Sequence, residues 1–278
     1  MTLPPEELRF DFQGACFDLT QEWDRKFLAW VFDQFLYGEV TGIQCGYWLY
    51  RAPHLNAASF LAKQAGEELS HVRKILRILS HLGEKPGRAH AAIRFLTTGM
   101  MGGSWGEHVA LEMALGEGLV LSAFYAMVDT IEHPEIRRIL VSSIGEEERH
   151  VAFGERETRR WLSENPGHRR FLLAQAVLQW MALGWLKRFL VSRIKASGRT
   201  SSPHPVLARF PQFYDHVLAR FGDRVQRLGL SDRPLSEVPL LERVVWIASI
   251  PYWKVWCRLG RKTRLLTDTY LDDPWVTA

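Results

Sequence analysis

Two short stretches decide how this chain reads: GEELSH at residues 66–71 and GEEERH at residues 145–150, both of the form GEExxH and both followed by Val. Each is preceded, about a helical hairpin's length earlier, by a Gly-Glu pair, Gly38-Glu39 and Gly116-Glu117. Glu39 to Glu68 is 29 residues and Glu117 to Glu147 is 30. The two halves are offset by 78 at the single Glu and by 79 at both Glu68/Glu147 and His71/His150. A lone ExxH carries little information: 20 Glu and 10 His over 278 positions give about 0.7 such pairs by chance, and on a helix the spacing merely makes neighbours. Two occurrences in one duplicated frame are a different matter.

Outward from these stretches the chain reads as all-helical. No sustained two-residue alternation and no Asn-Gly or Asp-Gly hairpin turn lies between apolar runs. A first helix spans about residues 20–50, with Phe32, Phe35, Leu36, Val40, Ile43 and Tyr47 at helical spacing and Pro53 beyond it. A second runs over about 56–82, stopped by Gly83 and Pro86-Gly87. A shorter segment follows at 88–98, then TTGMMGGS breaks regularity, and Ser104 with Glu107 forms a capping-box signature for a third helix reaching about 131. Pro134 suits the first turn of a fourth, to about 164. Further helices are expected at about 168–197, 205–228 and 238–265.

Glu and His three residues apart leave one helix face about 60° apart, so both reach one metal centre between helices. Ligands 29 and 30 residues apart fit two antiparallel helices with the ligands near mid-height, about a dozen residues from the connecting turn, and Pro53 and Pro134 fall roughly midway. Glu39 lies in step with the apolar stripe of its helix. Four such carboxylates in one core bring a charge of about −4, which two divalent cations would cancel. Carboxylate and imidazole ligands with open positions suit iron or manganese, whereas structural zinc prefers a closed site. Glu67, Glu146 and Glu148 point about 100° away from the neighbouring ligands and read as solvated or supporting groups. Glu112, set five residues before Glu117, is expected on another face. Whether Glu112 or His108 adds a ligand stays open.

One Glu and one ExxH on each half, on four antiparallel helices, resembles the ferritin-like di-iron carboxylate superfamily. The resemblance covers about residues 20–160 and implies a four-helix bundle (1–164), with a helical extension (165–278) packed on it. It implies that Glu39 and His71 are terminal ligands of one iron, Glu117 and His150 of the other, and that Glu68 and Glu147 bridge. The implied cofactors are two iron ions, or a mixed manganese-iron pair, with dioxygen as co-substrate and electrons from an external donor. The implied activity is a non-haem di-iron oxygenase that hydroxylates, N-oxygenates or oxidatively cleaves an organic substrate. No CxxC pair of the rubrerythrin kind is present, so a separate reductase or ferredoxin is expected. The ligand spacings resemble those of aldehyde-deformylating oxygenases, while the length and basic extension leave room for tRNA-hydroxylase-like or arylamine N-oxygenase-like readings. The alternative class is a non-catalytic, iron-handling protein.

Charge is distributed unevenly. Residues 1–164 hold 17 Lys/Arg against 23 Asp/Glu, residues 165–266 hold 18 against 5, and the tail from Thr267 holds none against 3. The basic extension is expected to face something anionic: a carrier-linked substrate, nucleic acid or a membrane surface. A homodimer is a further expected partner state. The uncharged run at 171–186 is too short to span a bilayer and is interrupted by Gln175 and Gln179, so it reads as a buried fifth helix. Composition, at 47% hydrophobic and 24% charged, excludes a disordered chain. Cys16, Cys45 and Cys257, odd in number and far apart, suggest neither disulfides nor zinc. With no basic-apolar leader in residues 1–11, the expected location is cytoplasmic, with attachment to a membrane periphery as the variant. Tyr47 and Tyr125, each eight residues after a ligand Glu, are expected to occupy matching core positions.

Overall fold

The computed structural model describes residues 3–98, 102–196, 204–257, 266–269 and 273–277. In chain order the helices are α1 (Pro5–Leu8), α2 (Glu22–Gly42) running into a 3-10 segment (Ile43–Arg51), α3 (Leu55–His81) and α4 (Ala91–Thr98). Then follow α5 (Trp105–Glu107), a π-helix (His108–Glu117) and α6 (Gly118–Thr130), which are continuous, and α7 (Pro134–Glu164). The remainder comprises α8 (Arg169–Ala196), α9 (Pro205–Ala208), α10 (Phe210–Arg227), α11 (Leu240–Ala248), α12 (Ile250–Trp256), α13 (Leu266–Thr269) and α14 (Pro274–Thr277). The fold is all-α. Among the described residues the only β pairing is a single bridge between Phe17 and Ile131. The helix expected over 238–265 breaks at Ser249, and its last part, 258–265, lies outside the described residues, as do residues 99–101 of the TTGMMGGS break.

The chain divides into two compact units, one of residues 1–17 and 106–259, the other of residues 18–105 and 260–278. The divisions fall at 17/18, 105/106 and 259/260, not at 164/165, where the charge changes. Each unit contains one half of the duplicated frame.

In the second unit α2 and α3 form an antiparallel hairpin. The contacts fix its register: Cys45 Sγ against the Leu61 carbonyl, Gly42 against Glu68, Glu39 against His71 and Asp33 against Gly87. His54 caps α3, its ring Nδ1 accepting from Ala57 N at 3.1 Å. Gly83, at φ +73°, ends it in a left-handed turn closed by Glu84 N donating to the Leu79 carbonyl. The buried positions of α3 are Ala57, Leu61, Gln64, Glu68, His71, Ile75, Ile78 and Leu79. Seven of these follow a strict four-three alternation, so Glu68 and His71 occupy the seam that apolar residues fill above and below them.

The first unit repeats this arrangement. Buried positions on α7 include Ile136, Leu140, Ser143, Glu147, His150, Gly154 and Glu157, each 79 residues after its counterpart on α3. Tyr125 meets Glu148, Glu117 approaches His150, and Gly154 lies against Met113 and Ala114, so α7 runs antiparallel to the helix before it. A Cβ on Gly154 would stand 2.7 Å from Ala114 N. Only glycine permits that approach.

Residues 165–259 of the basic extension belong to this same unit. Leu172, Ala176 and Val177 of α8 and Phe221 and Val225 of α10 bury against Ala110, Leu111, Ala114 and Leu115 of the π-helix. The expectation of a buried fifth helix holds for Phe171, Leu172, Ala174, Ala176, Val177 and Leu186, while Trp185 is 64% exposed. Part of the positive charge meets acidic partners within the unit: Arg220 and Arg227 pair with Glu7 at 3.2 and 3.1 Å, Lys187 with Asp215 at 2.5 Å, and Arg169 with Asp232. Arg224, 1% exposed, lies with Nε 3.4 Å from Glu155 Oε1.

Two expectations about α2 need correction. Val40 is 50% exposed and Tyr47 is 58% exposed, whereas Tyr125 is buried at 5%. Val40 lies before the 3-10 segment, on α2, where it points about 100° away from the buried Glu39. For Tyr47 the cause is the 3-10 segment. At three residues per turn it rotates Cys45 and Trp48 into the core and carries Tyr47 out, so an eight-residue step from Glu39 no longer matches one from Glu117. The cysteines are free, Cys45 and Cys257 buried and Cys16 partly so.

Candidate metal centre

In the α2–α3 hairpin, Glu39, Glu68 and His71 are all buried, at 5%, 3% and 1% exposure. His71 Nδ1 lies 3.1 Å from Glu39 Oε2 and 3.9 Å from Glu68 Oε2. One ligand atom from each of the three falls within 4.8 Å of the others, close enough to hold one metal ion. Glu68 and His71 stand one turn apart on α3, while Glu39 comes from across the hairpin. Gln64, one turn before Glu68, donates from Nε2 to Glu68 Oε1 at 3.3 Å. Gly42 leaves the space this carboxylate occupies: a Cβ there would be 2.7 Å from Glu68 Oε2.

The second hairpin places the corresponding groups alike. His150 Nδ1 lies 3.9 Å from Glu117 Oε2 and 3.7 Å from Glu147 Oε2. His150 is fully buried and Glu147 nearly so, while the Glu117 side chain is 20% exposed. Each hairpin therefore gathers two carboxylates around an imidazole. Like charges this close in a low-dielectric interior repel, and a divalent cation among them relieves that repulsion while using oxygen and nitrogen ligands together. The donor set fits iron, manganese or zinc chemistry; ligand type alone does not choose among them.

Glu117 sits at the last residue of the π-helix, and this local form changes what its neighbours can do. In a helix bonded from residue i to i+5, residues five apart stack on one face. An α-helix would separate them by about 140°. The π-helix therefore turns Glu112 and Glu117 less far apart than an α-helix would. Glu112 Oε2 lies 2.7 Å from His108 Nδ1, and His108 is buried at 3%. The sequence had no mark for this, because the shift in hydrogen bonding leaves no compositional trace.

Among the flanking acids, Glu148 accepts a hydrogen bond from the Tyr125 hydroxyl at 2.6 Å, and Glu67 pairs with Lys63 at 3.6 Å. The continuous helix Trp105–Thr130 is long and apolar enough by composition to cross a membrane, but 67% of its most apolar stretch is buried inside the protein, where it forms the core beside Glu117. Comparison with family models, curated proteins and solved structures finds no match to this chain.

Proposed function

We propose that the two Glu-Glu-His triads together hold a dinuclear metal centre, and that the protein is an oxidoreductase of the non-haem di-iron oxygenase type. The observation that carries this reading is the repetition of a whole buried seam: seven positions of α3 recur on α7 at an offset of 79, with Glu and His at the same two places. A duplicated apolar seam needs no carboxylates. Their retention at both copies, each with a second Glu brought across the hairpin, is what paired metal ions require.

In this reading Glu39, Glu68 and His71 would hold one ion and Glu117, Glu147 and His150 the other, with Glu68 and Glu147 as the carboxylates that would be shared. Bound there, a reduced iron or manganese-iron pair supplies the electrons that activate dioxygen. The remaining work belongs to the chain. Gln64 orients the Glu68 carboxylate, the apolar seam keeps water from the ligands, and Tyr125 fixes Glu148 beside Glu147. The substrate is an organic molecule to be hydroxylated, N-oxygenated or cleaved, with electrons delivered by a separate reductase or ferredoxin.

Metal analysis after anaerobic loading with ferrous iron tests this. About two irons per chain, with dioxygen consumed in step with oxidation of an added organic substrate and a reductant, supports an oxygenase. Iron uptake with no coupled turnover supports the iron-handling alternative.

A further inference from the structure

The two triads are alike in their ligands and differ in what lies behind them. In the first unit the π-helix ends at Glu117 and α6 begins at Gly118, so the backbone that presents the Glu117 carboxylate is a junction between two modes of helical hydrogen bonding. A side chain from α10 lies on this junction. Arg224 is 1% exposed, and a Cβ on Gly118 would overlap its guanidinium, 2.6 Å from Cζ and 3.1 Å from Nε. Only glycine lets the planar group approach the backbone this closely. Arg224 Nε also stands 3.4 Å from Oε1 of Glu155, which lies on α7 five residues after His150 and eight after Glu147. The other Glu155 oxygen is paired with Arg159 at 3.2 Å. Helix α10 is itself fixed on two sides: Phe221 and Val225 pack into the apolar cluster, and Arg220 and Arg227 pair with Glu7.

The duplicated frame supplies a comparison. Gly118 corresponds to Val40 at the offset of 78, and Glu155 to Leu76 at the offset of 79. Val40 and Leu76 are 50% and 39% exposed, so the second unit has neither the glycine nor the buried acid that receive Arg224 in the first. Support there is of another kind: Gln64 donates to Glu68, whereas its counterpart Ser143 donates to the Ile139 carbonyl at 3.2 Å. A buried ion pair contributes little stability beyond an apolar pair of the same volume, so placement is what the fold gains from burying this one. We propose that Arg224 is a positioning residue. Laid on Gly118 and anchored to Glu155, it holds the end of the π-helix in the register that turns Glu117 toward His150, so that one triad, and not its duplicate, depends on the basic extension. The inference rests on the reading of the triads as metal-binding.

Two measurements on the full chain test it. In the metal-free protein, amide hydrogen exchange at residues 117–122 is expected to be at least ~10-fold faster in Arg224→Met/Glu155→Leu than in the wild type, with exchange across α3 unchanged. Cobalt(II) titration followed by visible absorption then reads each half separately: His71→Ala leaves the Glu117, Glu147 and His150 ligands, and His150→Ala leaves Glu39, Glu68 and His71. Added to His71→Ala, the double substitution is expected to weaken cobalt binding at least ~10-fold; added to His150→Ala, it is expected to change nothing. Gly118→Ala, which drives the guanidinium off the backbone with both charges still present, should produce the same loss in the His71→Ala protein. Combined with Arg224→Met/Glu155→Leu it should add nothing, since both act at one contact. Equal weakening of the two halves, or additive losses from Gly118→Ala and the double substitution, would show an ion pair that only stabilises the fold and would overturn the inference. Unchanged exchange at 117–122 in a protein whose wild type binds two cobalt ions overturns it alone, whereas a wild type that binds none overturns the metal-centre reading with it.

Discussion

His71 Nδ1 stands 3.1 Å from Glu39 Oε2, joining residues 32 apart in sequence across the two arms of one hairpin. Neither side chain reaches this position by local helix geometry; the antiparallel register of α2 and α3 brings them together. His71→Ala keeps the helix-forming backbone and removes the nitrogen ligand. Ferrous-iron affinity at this half is expected to fall at least ~100-fold, measurable by anaerobic titration, with helicity retained by circular dichroism.

Gly42 separates backbone from site effects. Alanine is the better helix former there by about 1 kcal/mol, yet its Cβ would meet Glu68 Oε2 at 2.7 Å and displace the carboxylate. Gly42→Ala is therefore expected to leave the unfolding midpoint unchanged or slightly raised while weakening metal binding ~10- to 100-fold. Comparing thermal melting of the metal-free protein with metal titration of the same sample checks both halves of this expectation.

Arg224 and Glu155 form an ion pair at 2% and 1% side-chain exposure in the core of the first unit. Arg224 covers Gly118, where a Cβ would stand 2.0 Å from its Nη1, so the guanidinium lies on the residue after Glu117. Burial pushes the Arg224 guanidinium below its ordinary range, and the Glu155 carboxylate opposes that shift. Arg224→Met leaves Glu155 buried with only Arg159, at 3.2 Å and 40% exposed, as its ion-pair partner. A loss of about 3–5 kcal/mol in denaturant unfolding is expected. The double variant Arg224→Met/Glu155→Leu should recover most of it, because an apolar pair of similar volume replaces the charges.

His216 gives a pH dependence remote from the metal ligands. Burial lowers its pKa, against the pull of the Leu8 carbonyl, to which Nε2 donates at 3.3 Å; Arg220 adds to the lowering and Asp223 opposes it. A histidine depressed in the folded state binds protons more readily when unfolded. Its contribution is fully present above the unfolded value of about 6.5 and is lost as pH falls through the folded value. Urea midpoints measured downward from neutral pH should fall more steeply in the wild type than in His216→Gln.

Helix placement was largely legible in the sequence. Gly83 and Pro134 mark the end of α3 and the start of α7, and the GEExxH repeats locate the buried seam on both. What escaped was whatever depends on the hydrogen-bonding mode within a helix or on packing between helices. The 3-10 segment after Gly42 turns Tyr47 outward, and the residues leading to Glu117 form a π-helix in which Glu112 meets His108, though nothing in composition separates these segments from α-helix. The need for Gly42 and Gly118 comes from the side chains opposite them, Glu68 and Arg224, which no local sequence pattern reveals. The charge contrast was visible as a total. Only the structure shows Glu7 and Glu155 meeting arginines of the basic extension.

The central claim is that the duplicated triads hold a metal pair whose ions are joined by Glu68 and Glu147. Its most direct test is the metal content of the full chain after anaerobic reconstitution with ferrous iron and removal of excess, in the wild type and in Glu68→Ala and Glu147→Ala. The account predicts about two ions per chain in the wild type and no assembled pair in either variant. A full two-ion complement in both variants would contradict it.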